Sequence, residues 1–306
     1  MSRTHHRDPV TWGLLILLGI IWGASFPAVS VALTGYGPFS VAAYRIVLAA
    51  LILLVVSYTF GAGLPTFRTP TGRRIWLHCL GMAVFTNVVP FTLLSWGQLY
   101  VTSGFAGITM ATVPLMVLPL AHFLIPGEAL TPKKIFGFVV GFTGVVVLIG
   151  PAAFSSSGTE VETLARLACL GATACYAIGS MITRLAPPTP QLTFSATALL
   201  LGSLIILPLA LLIEGVPTAA PTQAIAGVIY LGLIPTALAT VILVRIINTA
   251  GPSFLSLVNY QVPVWAALMG VIFLSERLPT QFLGALALIL LGLAISQARG
   301  WQRFRP

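Results

Sequence analysis

Apolar residues in this chain neither alternate with polar ones nor keep to one helical stripe. They run almost unbroken for about 20 residues at a time, the length a helix needs to cross a bilayer. Such runs cover residues 12–34, 41–60, 75–95, 103–125, 135–150, 164–184, 193–213, 223–245, 253–274 and 280–297. The pattern predicts an all-α integral membrane protein of ten transmembrane helices, with no room left for a soluble domain.

Composition agrees with the pattern. Of the 306 residues, 7% are charged and 58% are hydrophobic, where a soluble domain carries about 25% charged residues. The net charge of +9 does not form a basic stripe interleaved with aromatics, so a nucleic-acid partner is not expected. The charge reports topology instead. With the N-terminus inside, twelve basic residues fall on the cytoplasmic side, and only Arg45, Arg166 and Arg277 fall outside. Both termini are therefore expected in the cytoplasm. The first apolar run follows a basic stretch as a signal peptide does, but its length and the spans behind it mark an uncleaved helix. Cys79, Cys169 and Cys175 all lie in predicted spans, the last two too far apart on one helix to bridge. No metal-ligand cluster is present, and no cofactor is called for.

The two halves repeat each other through their punctuation. Glu128 follows Pro114 by fourteen residues and Glu276 follows Pro263 by thirteen, and a glycine recurs sixteen residues after each Glu, at Gly144 and Gly292. Pro90 in the third run and Pro235 in the eighth also occupy matching places. This spacing predicts two five-helix repeats, residues 1–152 and 153–306. An odd helix number makes the second repeat enter the membrane from the opposite face, giving inverted halves around a central cavity.

"WGASFP" at 22–27, "YRIVLAALILL" at 44–54 and the twin endings "GEALT" and "SERLP" resemble the EamA-type branch of the drug/metabolite transporter (DMT) superfamily. The resemblance covers essentially the whole chain. It implies an inverted-repeat transporter that moves metabolites, often outward, across a bacterial inner membrane. Within that branch the chain is similar to the YddG-like exporters of aromatic and neutral amino acids.

Prolines Pro27, Pro90, Pro114, Pro208, Pro235 and Pro263 interrupt predicted spans, and each removes a backbone hydrogen bond whose carbonyl must find another donor. Any one of them can be a plain kink. The duplicated pairs, Pro90 with Pro235 and Pro114 with Pro263, are expected to shape the cavity or act as hinges. Around them gather Trp22, Asn87, Thr109, Thr112, Tyr176, Asn259, Tyr260 and Gln261, the expected substrate-binding residues. Amides at mid-membrane are costly and so the most informative, while the aromatics supply apolar walls. Trp12, Trp76, Trp96 and Trp301 lie near span ends and read as an interfacial belt.

Glu128 and Glu276 stand at turns, where a carboxylate caps the next helix or pairs with Lys133 or Arg277. Arg45 lies inside a span and is read as structural, snorkelling outward or binding carbonyls of a broken helix, ahead of contacting a substrate carboxylate. His78 and His122 read as interfacial residues at helix ends. The stripe Gly137, Gly141 and Gly144 fits packing within one chain better than joining protomers, and a monomer is the expected unit.

No Asp or Glu lies in the core of a predicted span, which disfavours carboxylate-coupled antiport of cationic drugs. The expected function is export of small neutral or zwitterionic metabolites, amino acids foremost, with the lipid bilayer and a small-molecule substrate as partners. Other metabolites or drugs remain open in the same fold. An intramembrane enzyme is disfavoured, since no G-x-S-x-G elbow, paired membrane aspartates or H-E-x-x-H occurs.

Overall fold

The computed structural model describes residues 9–125, 130–149, 160–217, 219–250, 252–278 and 280–297, and among them every regular element is a helix. In chain order these are α1 (Pro9–Ala32), α2 (Pro38–Phe60), α3 (Pro70–Gly97), α4 (Ser103–Leu124) and α5 (Pro132–Ile149). They continue as α6 (Glu160–Arg184), α7 (Gln191–Glu214), α8 (Thr222–Ala250), α9 (Val258–Leu274) and α10 (Thr280–Gln297). Seven of them, α1 to α4 and α6 to α8, are long and apolar enough to cross a membrane, and α9 and α10 are shorter apolar helices. The described helices follow the apolar runs of the sequence, a further short helix Pro252–Leu255 stands just before α9, and seven helices meet the crossing criterion.

Local chemistry sets the helix starts. Pro38, Pro70 and Pro132 each begin a helix, where the missing N–H costs nothing and the fixed φ is already helical. Thr69 and Thr102 cap α3 and α4 with side-chain oxygens that accept from the Gly72 and Phe105 amides. The α2 start has no such side chain because its cap is Gly37, and Glu214 at the end of α7 substitutes for it. Its carboxylate accepts from the Phe39 and Ser40 amides at 2.9 and 2.8 Å. A methyl group on Gly37 would collide with that carboxylate, so only glycine admits it.

The helices are not uniform, and their irregular stretches occur in pairs. Residues Ala83–Val88 of α3 and Leu233–Leu238 of α8 are π-helical, each a six-residue widening of the turn. Pro90 lies two residues beyond the first, and Pro235 lies inside the second. Helix α4 tightens to a 3₁₀ turn at Met110–Thr112 just before Pro114. Ahead of Pro263, the Asn259 and Tyr260 amides likewise bond to carbonyls three residues back, Ser256 and Leu257.

Packing joins helices far apart in sequence: α2 against α7, α4 against α9, α5 against α10, α1 against α8 and α9, and α3 against α6. The α5 and α10 backbones meet at Gly137, Gly141, Gly144 and Gly292, where an added Cβ would strike the opposing helix or, at Gly141, Leu115. The glycine stripe is therefore spent inside the chain, as small residues are where helices approach closely in lipid. One apolar core draws on every helix but α2 and α7, and a second joins α2 and α7 with residues of α3 and α8. Phe60, Phe123, Leu212 and Phe273 stand exposed on the outer surface, the apolar skirt a bilayer would cover.

Candidate functional site

Helix α2 packs against both π segments. On the α8 side, the Trp22 indole of α1 donates to the Pro235 carbonyl at 3.2 Å. At the next residue the Arg45 Nε of α2 donates to the Thr236 hydroxyl at 2.8 Å, and that hydroxyl donates to the Leu231 carbonyl at 2.7 Å. The widened turn thus has its loosened groups engaged by α1 and α2. On the α3 side, the Arg45 guanidinium carbon lies 3.8 Å from the centroid of Phe91, the residue after Pro90. Arg45 therefore links the α8 π segment to the regular turn of α3 that follows its own π segment. Tyr176 of α6 packs against the cluster that contains Phe91.

Arg45 is 8% exposed, so it does not snorkel to the surface. The broken helix does receive it, as one reading of the sequence held, but through a hydroxyl and not a carbonyl. Among the described residues, no carboxylate and no further hydrogen bond engages its terminal nitrogens.

The expected site residues fall into four groups. Trp22 and Tyr176 join the Arg45 neighbourhood, and Tyr176 packs against both apolar cores. Asn87 lies on the α3 π segment, 5% exposed, with its amide nitrogen donating to the Met82 carbonyl at 3.3 Å. Thr109 and Thr112 are fully buried and donate to carbonyls of their own helix, Ala106 and Thr109. The Thr112 hydroxyl also lies 2.9 Å from that of Thr173, joining α4 to α6. These two threonines are engaged in holding helices together. Asn259, Tyr260 and Gln261 are half-buried on α9, and Gln261 packs against Gly19 of α1. Thr236 and Phe91 were not singled out in the sequence. Each directly follows a duplicated proline, the signal that could have marked it.

The other candidates have structural partners. Glu276 caps a helix, but that helix is α4 and not the one that follows it. Glu128 and Trp301 lie outside the described residues. His78 Nδ1 sits 2.8 Å from the Arg74 carbonyl of its own helix. The Trp76 indole donates to the Pro65 carbonyl and stacks on Phe67. A cavity of about 210 Å³ between residues 62–75 and 188–193 includes none of the expected site residues. Among the described residues, no group of three or more His, Cys, Asp or Glu is placed to hold a metal.

Helix breaks in α3 and α8 stand beside buried polar groups, and comparison decides the family. The EamA-like transporter family model matches twice, over residues 11–150 and 163–297. The chain belongs to this family. It is a multi-pass membrane transporter and not an enzyme.

Several of its relatives carry transporter names. A "Probable terminal-alkyne amino-acid exporter" of Streptantibioticus cattleyicolor is 26% identical over 95% of this chain and 94% of that protein. An "Uncharacterized transporter" of Archaeoglobus fulgidus is 24% identical over 93% of this chain and 97% of its own length. "Protein PecM" of Dickeya dadantii is 28% identical over 90% and 89% of the two chains. A crystal structure titled only as that of a protein superposes with a TM-score of 0.65 at 20% identity, covering 94% of this chain and 97% of its own. At that identity it shows a shared fold.

Proposed function

We propose that this EamA-family transporter exports small neutral or zwitterionic metabolites, foremost aromatic and neutral amino acids, by alternating access between two inverted five-helix repeats. The observation that carries the proposal is the pairing of π segments in α3 and α8, both packed against α2, with Asn87 buried on the first and Trp22 bonded to Pro235 in the second. Inverted-repeat transporters place their solute site at such discontinuities, where unwound backbone meets a cavity.

The double match of the family model, the spacing of the duplicated prolines and the pairing of α2 with α7, α4 with α9 and α5 with α10 all support the repeats 1–152 and 153–306. The positive-inside bias supports cytoplasmic termini, and the bacterial relatives support an inner-membrane location. The name of the Streptantibioticus relative supports amino acids ahead of other metabolites or drugs. In this reading Asn259, Tyr260 and Gln261 complete the solute site from α9. Pro90, Pro114, Pro235 and Pro263 set the breaks about which the halves rearrange, and a monomer suffices.

The test is uptake of labelled neutral, aromatic, acidic and basic amino acids into proteoliposomes, with and without an imposed pH gradient. Saturable flux of neutral or aromatic members above empty vesicles supports the assignment. Silence across the panel in folded protein would remove amino acids and leave the family in place.

A further inference from the structure

We propose that Arg45 is the carboxylate-recognition residue of the transport site, so that the substrates carry a single carboxylate on an apolar or aromatic body. This rests on the transport reading above and deepens it, because the neutral and zwitterionic solutes considered there differ in whether they bear that group.

Among the described residues, the buried charge of Arg45 has no acidic partner. A guanidinium is always protonated, and inside a membrane protein it is normally paired with an acid or saturated by carbonyls. Arg45 is buried and has five N–H donors, of which the Nε–H is bonded to Thr236. Among the described residues, nothing else accepts from it, and the four acids there, Glu160, Glu162, Glu214 and Glu276, all lie at helix ends. A purely structural arginine would be expected to have its fork filled.

The geometry also fixes which part of the side chain is open. Thr236 holds the inner edge and Phe91 covers a face at 3.8 Å, a separation that corresponds to stacking. What remains is the outer edge, where the two terminal nitrogens present parallel donors to a planar carboxylate. The side chain is thus oriented by the protein and its recognition edge left unoccupied by it.

The neighbours define the rest of the ligand. Trp22 is fixed to Pro235, beside the Thr236 that anchors Arg45, and Tyr176 packs against the apolar cluster that includes Phe91. Aromatic walls around one fixed positive charge suit a monoanion with an apolar body. A phosphate dianion would want further basic groups, yet Arg166 is paired with Glu162 and Arg184 stands at the end of α6. The location between the paired π segments, where the halves would rearrange, puts that recognition on the transport path.

The experiment measures ligand-induced thermal stabilisation of the purified full-length protein by L-phenylalanine, 3-phenylpropionate and phenylalaninamide. The expected result is that both carboxylates bind the natural protein at least about tenfold more tightly than the amide. In Arg45→Gln, carboxylate binding is expected to fall by about 30-fold with amide binding unchanged. Should Arg45→Gln not fold, Arg45→Lys decides, because it keeps the charge and loses the fork; a drop of about tenfold is expected. Undiminished carboxylate binding by folded variants overturns the proposal and leaves an amino-acid reading intact. Binding of phenylpropionate but not phenylalanine keeps the Arg45 assignment and removes amino acids. Preference of the natural protein for the amide, or no binding by any of the three, overturns the Arg45 assignment.

Discussion

The carboxylate of Glu276, just beyond α9, accepts from the backbone amide of Ser103 at 2.7 Å, and its second oxygen accepts from Gly104 at 2.9 Å. One side chain thereby satisfies two of the free amides at the start of α4 and places a negative charge at the positive end of its dipole. The contact is possible because Ser275 adopts φ 53°, a left-handed turn that folds the chain back after α9. Glu214 makes the equivalent contact from α7 to α2. Since α2, α3 and α4 run in alternating directions, the two capped ends lie on one face of the bundle, and each ties a helix of one half to a helix of the other.

Removing this cap is expected to loosen that face. Glu276→Ala should lower stability by about 1–2 kcal/mol, the usual worth of a helix cap, and Glu276→Gln by less because an amide oxygen still accepts. The measurement is the thermal midpoint in detergent, followed by size-exclusion chromatography. An unchanged midpoint for the alanine variant would mean that water replaces the carboxylate at no cost.

The α5 and α10 contact gives a matched pair within one helix. An added Cβ at Gly292 would meet the Gly141 and Gly137 backbone, whereas at Gly284 nothing lies within 4 Å. Gly292→Ala should therefore destabilise by about 1–3 kcal/mol through overpacking, while Gly284→Ala should be neutral or slightly stabilising. Equal midpoints for the two variants would refute the backbone-to-backbone approach.

Thr236 accepts from a buried guanidinium, and Thr240, one turn on, donates to the Thr236 carbonyl. Thr236→Val strands the Arg45 Nε–H and should cost about 1–3 kcal/mol, against less than about 1 kcal/mol for Thr240→Val. Comparison of their urea or thermal unfolding checks the order. A reversed order would show that Arg45 relaxes to another acceptor.

The duplicated prolines should matter for turnover more than for folding. Pro235→Ala restores an N–H inside the π segment and allows α8 to close toward a regular helix. The expected outcome is at least about a tenfold loss of maximal flux with little change in the half-saturating concentration, at a ΔΔG‡ of about 1.4 kcal/mol. Wild-type flux in Pro235→Ala would assign the proline to helix shape alone.

Much of this architecture was legible in the sequence because it depends on neighbours along the chain. Apolar runs of bilayer length located the helices, and Pro38, Pro70 and Pro132 stand at helix starts as their ring geometry requires. The duplicated prolines marked the irregular stretches, since loss of an N–H acts within one or two turns. Asn87, Thr109 and Thr112 stand out in the sequence as polar groups in apolar runs, and all three side chains donate to carbonyls of their own helix, a partner that composition does not reveal.

The sequence by itself determined the membrane class, the approximate helix limits, the duplicated breaks and the scarcity of intramembrane charge. Only the tertiary structure decided where the few polar groups are engaged. Glu276 reaches an amide 173 residues away in sequence, and Arg45 reaches a hydroxyl 191 residues away. Hydropathy and periodicity act over a few turns, so they set which segments become helices. In an apolar environment each polar group is held by whichever partner the packing brings within about 3 Å, and that choice depends on how the helices cross.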